Sequence, residues 1–414
     1  MIYVIGDSHT AVFSGLNKIQ PKYPEVNNND SINFLKTFRI NAGTAYNSYS
    51  RAIPIIDNII NEYNINSSDY ILFCYGEFDC RAHLLKQYEI KLKGNDIKDS
   101  DLILNELIQE CVDRLINTLL YYKNKNINII AYGPIPTFKD IYVNHVPIDR
   151  WYGDEKTRNK VTLIFNKYYE DKCKEYNIPF ITLYYDLTND YETIDGYHLN
   201  DKMHMSQKVM YLLIKKLYLI NIINKVDFFK YNVYKIIKLS NKPSNYNWDN
   251  GNGFLGANGI RKTKLRPNGI DKNIAKDNLL TFKKISDDNN LNFHLIDGTL
   301  LGAVRDKDFI TGDSDTDIRI NFEDISILAD ITPILISNGL IPLRISTNEI
   351  SFVKNNEYID IEFEDKKTRF TEKLDKIKFL DIEFNIPSYH DEYLTICYGN
   401  WRVKSDNHNW IIPS

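Results

Sequence analysis

Phe293-His294-Leu295-Ile296-Asp297-Gly298-Thr299-Leu300-Leu301-Gly302-Ala303-Val304-Arg305-Asp306-Lys307-Asp308-Phe309-Ile310-Thr311-Gly312-Asp313-Ser314-Asp315-Thr316-Asp317-Ile318-Arg319-Ile320 decides how the C-terminal part of the chain is read. An apolar run ends in Gly298-Thr299. A short helix-compatible stretch follows, and then Asp313, Asp315 and Asp317 stand at every second position. Alternate residues of a strand share a face, so Asp315 and Asp317 point the same way. Two carboxylates about 4 Å apart repel by roughly 4 kcal/mol at an effective dielectric near 20. A divalent cation relieves that repulsion, and hard oxygen ligands suit Mg²⁺ or Mn²⁺. The Gly-Thr turn can bring backbone N–H groups to a phosphate. Together these features predict chemistry on nucleotide phosphates.

Asp297 to Arg305, Asp308-Phe309-Ile310 and Asp313 to Ile318 closely resemble the LicD/fukutin family of phosphotransferases. Tyr393-Leu394 and Tyr398-Gly399-Asn400-Trp401 resemble that family's closing motif, with Asn400 in place of an Asp. The resemblance covers roughly the last third of the chain. It implies a nucleotidyltransferase-type α+β domain. The implied reaction moves a phospho-alcohol (phosphoribitol, phosphocholine or phosphoglycerol type) from a CDP-activated donor to a sugar or glycan acceptor. Asp315 and Asp317 are the implied metal ligands, joined by a third carboxylate from a later strand. Ile359-Asp360-Ile361-Glu362-Phe363 alternates as a strand should. Asp360 is chosen over Glu362 as that third ligand, although an exposed strand face explains the same pattern. Asp313 is either a ligand or a support. Gly298 and Thr299 are expected at the nucleotide. Arg305 binds donor phosphate through its planar fork or holds an Asp in place. Trp401 stacks on a base or sugar, or simply packs. Transfer of an activated nucleotide, giving an activated sugar or alcohol, is the competing reading of this half.

The 414 residues exceed the usual size of one domain, and two are expected. Hydrophobic content of 43% and charged content of 26% are those of a globular protein. A net charge of −4 gives no support for a nucleic-acid surface. No apolar run reaches the length of a membrane span. The opening Met1-Ile2-Tyr3-Val4-Ile5-Gly6 reads as a strand, without the features of a signal peptide. Cys74, Cys80, Cys111, Cys173 and Cys397 are scattered, which suits a reducing compartment; a cytoplasmic location is expected.

The first half alternates strands, at Ile2–Ile5, Tyr70–Tyr75, Ile127–Tyr132 and Phe180–Leu183, with helices. The helices are expected at Ile53–Tyr63, Asp101–Lys123, Lys156–Tyr176 and Ser206–Ile223. Alternation of this kind makes a parallel α/β sheet with functional loops at the carboxyl ends of its strands. The predicted domains are residues 1–225 and 271–414, with a junction at 226–270 rich in Asn and Gly turns. A helix over Asp271–Asp288 leads into the second domain.

Gly6-Asp7-Ser8-His9 follows the first strand, placing a Ser hydroxyl above the sheet. Asp195-Gly196-Tyr197-His198 lies far downstream and supplies an Asp and a His for a hydrolytic triad. With Gly43-Thr44-Ala45 and Gly76-Glu77-Phe78-Asp79, these blocks resemble the SGNH/GDSL hydrolases over roughly the first 220 residues. The resemblance implies a flavodoxin-like parallel-sheet domain. It implies Ser8 as nucleophile, Asp195 and His198 as its partners, and the backbone N–H groups of Ser8 and Gly43 at the oxyanion. Phe78 stands where the family has an oxyanion-donating Asn. Loss of one such donor commonly costs about 10²–10³ in turnover. Weak hydrolysis, a substitute donor such as Asn47 or Arg81, or a carbohydrate-binding domain without catalysis would follow; a substitute donor is preferred. The expected activity is a serine esterase or deacylase acting on acylated glycan, with O-acyl transfer as the alternative.

Overall fold

The computed structural model describes residues 1–25, 32, 34–40, 44–93, 100–138, 152–201, 203–239, 269–310, 312–345, 348–365 and 368–404. The chain forms two compact units, Met1–Ile222 and Ile223–Ser414.

The first unit is built on five parallel strands: β1 (Ile2–Gly6), β2 (Leu35–Arg39), β3 (Tyr70–Cys74), β4 (Asn128–Tyr132) and β5 (Phe180–Ile181). Their order is β2-β1-β3-β4-β5. All five residues of β1 are buried, as expected of a strand covered on both faces. Helices Ile53–Tyr63, Ser100–Lys123 and Glu155–Glu175 connect the strands. Leu107, Ile108, Cys111, Val112, Leu115, Ile116 and Leu119 form the buried stripe of the second of these, at helical spacing. A short hairpin, β6 (Thr188–Asn189) and β7 (Glu192–Thr193), precedes the last helix, Met210–Leu219. β2 does not stand out in the sequence. It is a five-residue edge strand whose Lys36 and Arg39 are half-buried, so its composition resembles a loop.

The second unit is α+β. Helix Lys272–Asp288 leads into β8 (His294–Leu295), and β9 (Thr316–Asn321) follows the motif quoted above. β10 (Ile341–Ile345), β11 (Glu349–Lys354), β12 (Glu357–Glu364), β13 (Leu374–Phe379) and β14 (Ile382–Pro387) complete a mixed sheet ordered β10-β11-β12-β9-β8-β14-β13. β9 and β12 are parallel neighbours. Part of the expected junction lies outside the described residues; its opening, Lys225–Leu239, is a helix. Phe228, Phe229, Asn232, Val233 and Ile236 are buried at i, i+1, i+4, i+5 and i+8, which is the face of a packed helix rather than a linker. Among the described residues no helix is long and apolar enough to cross a membrane. The five cysteines are buried and free.

One glycine fixes the end of β1. A Cβ at Gly6 would stand 2.0 Å from the carbonyl oxygen of Cys74 on β3. Gly6→Ala is therefore expected to cost the first unit about 2–3 kcal/mol through forced strand separation. The shift of its urea midpoint measures this, and an unchanged midpoint contradicts the contact.

Candidate functional sites

At the end of β1 the Asp7 carboxylate accepts the backbone N–H of His9 (2.8 Å) and starts the short helix Ser8–Ser14. This cap leaves Ser8 at the carboxyl edge of the sheet. Ser8 Oγ lies 2.7 Å from His204 Nε2, and His204 Nδ1 lies 2.7 Å from Asp201 Oδ2. The other Asp201 oxygen accepts the backbone N–H groups of Met203 (2.9 Å) and His204 (3.0 Å). Burial opposes ionisation of Asp201, but these hydrogen bonds and the His204 ring hold its carboxyl well below the usual carboxylate range. An ionised Asp201 only accepts, so His204 Nδ1 carries the proton and Nε2 accepts from the Ser8 hydroxyl.

This corrects the sequence expectation for two residues. Two blocks share the Asp-x-x-His spacing, 195–198 and 201–204, and the second supplies the partners of Ser8. The chain doubles back between them. Leu199 N–H donates to His204 O (2.7 Å) and Ser206 N–H donates to Tyr197 O (2.8 Å), which brings His204 over Ser8. His198 instead packs edge-on against Phe138, with ring centroids 5.5 Å apart, and burial pushes its imidazole down to about 4. Asp195 is exposed on the turn. The signal available in sequence was the second Asp-x-x-His itself, immediately before the final helix of the unit.

Hydrogen bonds tie together the described parts of the other N-terminal blocks. Gly43 lies outside the described residues. Asp79 is fully buried and accepts the backbone N–H of Ala45 (2.7 Å), tying the block after β3 to the one after β2. Phe78 is half-buried. Arg81, considered above as a substitute oxyanion donor, is buried and binds Glu77 through two nitrogens (2.7 and 3.2 Å). The loop after β4 is held from the helix Glu155–Glu175. Asn159 accepts from Thr137 N–H (2.8 Å), Arg158 donates to the Phe138 carbonyl (3.0 Å), and Asn166 donates to the Pro134 carbonyl (2.9 Å).

In the second unit, Asp313, Asp315 and Asp317 bring carboxylate oxygens within 4.8 Å of one another. Two unit charges at that distance repel by about 3–4 kcal/mol at an effective dielectric near 20. Burial, followed by the charges of Asp315, Asp313, Asp297 and Asp360, pushes the Asp317 carboxyl well above the usual range. Along β9, Thr316, Ile318 and Ile320 are buried in the core, and Asp317 and Arg319 occupy the opposite face. In the parallel ladder Asp360 of β12 stands beside Asp317, and Glu362 stands beside Arg319. Arg319 pairs with Glu362 (2.6 Å). Asp360 is buried rather than exposed on a strand face. An all-oxygen donor set with a carboxyl this disfavoured in its charged form fits a hard divalent cation.

Of the residues expected at the nucleotide, Gly298 and Thr299 touch these carboxylate residues. A Cβ at Gly298 would come 2.3 Å from Asp313 Oδ2, so the glycine makes room for that side chain. The Thr299 hydroxyl is fully buried and accepts the backbone N–H of Asp317 (2.8 Å). Arg305 binds both oxygens of Asp306 (2.9 and 3.0 Å) and the Trp401 carbonyl (3.2 Å). Trp401 is buried and donates from Nε1 to the Asp391 carbonyl (3.3 Å), a packing role. Tyr393 donates to Asp297, whose carboxyl is raised by burial and by Glu362 and Asp315 despite that bond.

Comparison with known proteins follows the same division. The profile of the family GDSL-like Lipase/Acylhydrolase matches residues 2–217, and that of LicD/FKTN/FKRP, nucleotidyltransferase domain, matches residues 290–384. Among solved structures, a GDSL-like lipase from Bacteroides thetaiotaomicron is 12% identical, with a TM-score of 0.32 over 52% of this chain and 85% of that chain. A catalytic mutant of an acetylxylan esterase from Geobacillus stearothermophilus is 14% identical, with a TM-score of 0.30 over 52% and 91%. An extracellular lipase from Streptomyces rimosus is 9% identical, with a TM-score of 0.29 over 50% and 93%. Comparison with curated proteins returns no match.

The raised carboxyl of Asp317 has a defined effect on stability. A folded-state pKa above the unfolded value means that the folded unit binds the extra proton, so its stability falls as pH rises from the ordinary carboxylate range, about 4, toward that raised pKa. Asp317→Asn should raise the melting temperature of the second unit by a few degrees at neutral pH in chelator, and the gain should shrink on acidification toward that range. Scanning calorimetry against pH checks this. A gain independent of pH contradicts the charge argument.

Proposed function

Because this chain belongs to the GDSL-like lipase/acylhydrolase family and carries a LicD-type nucleotidyltransferase domain behind it, we propose that it is a bifunctional glycan-modifying enzyme. In this reading the first unit removes an acyl group from a sugar, and the second transfers a phospho-alcohol from a CDP-activated donor to a sugar hydroxyl. The observation that carries the first activity is the hydrogen-bond chain from Ser8 through His204 to Asp201. We read the strand order of the first unit as flavodoxin-like, with the substrate crevice at the carboxyl ends of β1 and β3.

In the esterase step, Ser8 Oγ attacks the acyl carbonyl and its proton passes to His204 Nε2. Asp201 stabilises the imidazolium through Nδ1. The C–O bond to the sugar breaks, and His204 returns the proton to the departing sugar oxygen. Water then repeats the sequence on the acyl-enzyme and regenerates Ser8. The backbone N–H groups of Ser8 and Gly43 are the proposed oxyanion donors; Phe78 has no group to donate.

In the transferase, Asp315 and Asp317, with Asp313 or Asp360, would hold Mg²⁺ or Mn²⁺. When bound, the ion supplies charge neutralisation at the donor diphosphate. The chain's own contribution is to keep these carboxylates together: Thr299 anchors the Asp317 backbone, and Gly298 admits Asp313.

Two experiments test the reading. A fluorophosphonate probe should label the wild type but not Ser8→Ala. His204→Ala should lower ester hydrolysis by about 10⁴-fold or more, whereas His198→Ala and Asp195→Ala retain most of it. Equal losses at His198 and His204 would remove the assignment. In the second unit, Asp315→Ala and Asp317→Ala should each abolish Mn²⁺-dependent transfer from CDP-ribitol, CDP-choline or CDP-glycerol while leaving the circular dichroism spectrum unchanged. Turnover of CTP with a phospho-alcohol, but not of preformed CDP-alcohol, would instead indicate nucleotidyl transfer.

A further inference from the structure

The block Glu77-Phe78-Asp79-Cys80-Arg81 is not used by the mechanism above, yet it sits directly behind the nucleophile. Glu77 is buried, with 2% of its surface exposed, and grips two cations. Oε2 lies 2.7 Å from His9 Nε2, and Oε1 lies 2.7 Å from Arg81 Nε. His9 is itself 7% exposed, and its ring stacks on the ring of His204, with centroids 4.7 Å apart and planes inclined by 27°. Two histidines are thus layered at the nucleophile. The outer one touches Ser8 and Asp201, and the inner one is fixed by Glu77 and, through it, by Arg81.

We propose that His9 is a positioning residue for the hydrolytic reaction: held by Glu77, it braces the His204 ring against Ser8, and its charge sets how readily His204 takes up the Ser8 proton. The proposal deepens the esterase reading and rests on it. The charged and titratable groups around His9 are Asp7 and Glu77, which favour its imidazolium, Arg81, which opposes it, and the rings of His204 and His198. Burial works against a charged His9, but the Glu77 and Asp7 carboxylates outweigh it and raise its pKa. A cation stacked on His204 makes the second imidazolium harder to form. An imidazolium formed on His204 during the reaction therefore readily gives its proton to the leaving sugar. Glu77, next to the Phe78 that departs from the usual block, thus acts on proton transfer rather than on oxyanion binding.

Two substitutions separate charge from packing. His9→Gln keeps an N–H donor for Glu77 but carries no charge, and His9→Phe keeps the stacked ring without charge or hydrogen bond. In full-length protein labelled with ¹⁵N-histidine, the His204 imidazole resonances should titrate about one pH unit higher in both variants than in wild type. The acid limb of kcat/KM for p-nitrophenyl acetate should move in the same direction. The nuclear resonance measurement does not depend on turnover. Hydrolysis that persists in Ser8→Ala would sink the esterase reading, whereas a His204 titration at the wild-type pH in either folded variant would sink the role of His9. A merely structural role lowers activity without moving either midpoint.

Discussion

The contact between His204 Nε2 and Ser8 Oγ closes the first unit on itself across 196 positions of sequence. Everything else near it can be understood as holding its two ends. Gly6 lets β1 finish hard against β3, Asp7 turns the chain at the next residue, and the pairing of Tyr197 and Leu199 with Ser206 and His204 presents the His204 ring. Asp201 both shapes the turn through backbone N–H groups and fixes the imidazole tautomer, so one carboxylate does local folding and site orientation together. A serine hydroxyl at a strand end is otherwise an ordinary helix-starting group.

The second unit depends on a constraint of opposite sign. Its acidic residues are brought together although they repel, and two uncharged residues help to place them. The Thr299 hydroxyl takes the Asp317 amide, and the absence of a side chain at Gly298 gives Asp313 its place. Arg305 is directed to Asp306 and to the Trp401 carbonyl.

The α+β class of the second unit came from the family resemblance, but the first fold was legible from its alternating strand and helix pattern, because buried parallel strands such as Ile2–Gly6 are continuously apolar and amphipathic helices keep a 3.6-residue period. The edge strand β2 was not, since its charged residues hide its pairing. Ser8 and the aspartate run stood out because each follows a recognisable structural transition. The choice between His198 and His204 did not, because Asp-x-x-His occurs twice and spacing alone carries no information about which copy folds over the serine. The roles of Thr299, Arg305 and Trp401 were also hidden: a threonine or arginine beside a phosphate and one that braces a strand or a turn have the same local sequence. Only the partners found in space tell them apart.

The lateral register of β9 against β12 has a consequence for selectivity. Sliding β12 by two positions would keep the same faces together but would set Arg319 beside Asp360, neutralising that carboxylate from within the chain. In the native alignment Arg319 stays one rung away, paired with Glu362, and the like-charged Asp317 and Asp360 share a rung. The register thus decides which carboxylate the sheet's own guanidinium meets, and it meets Glu362.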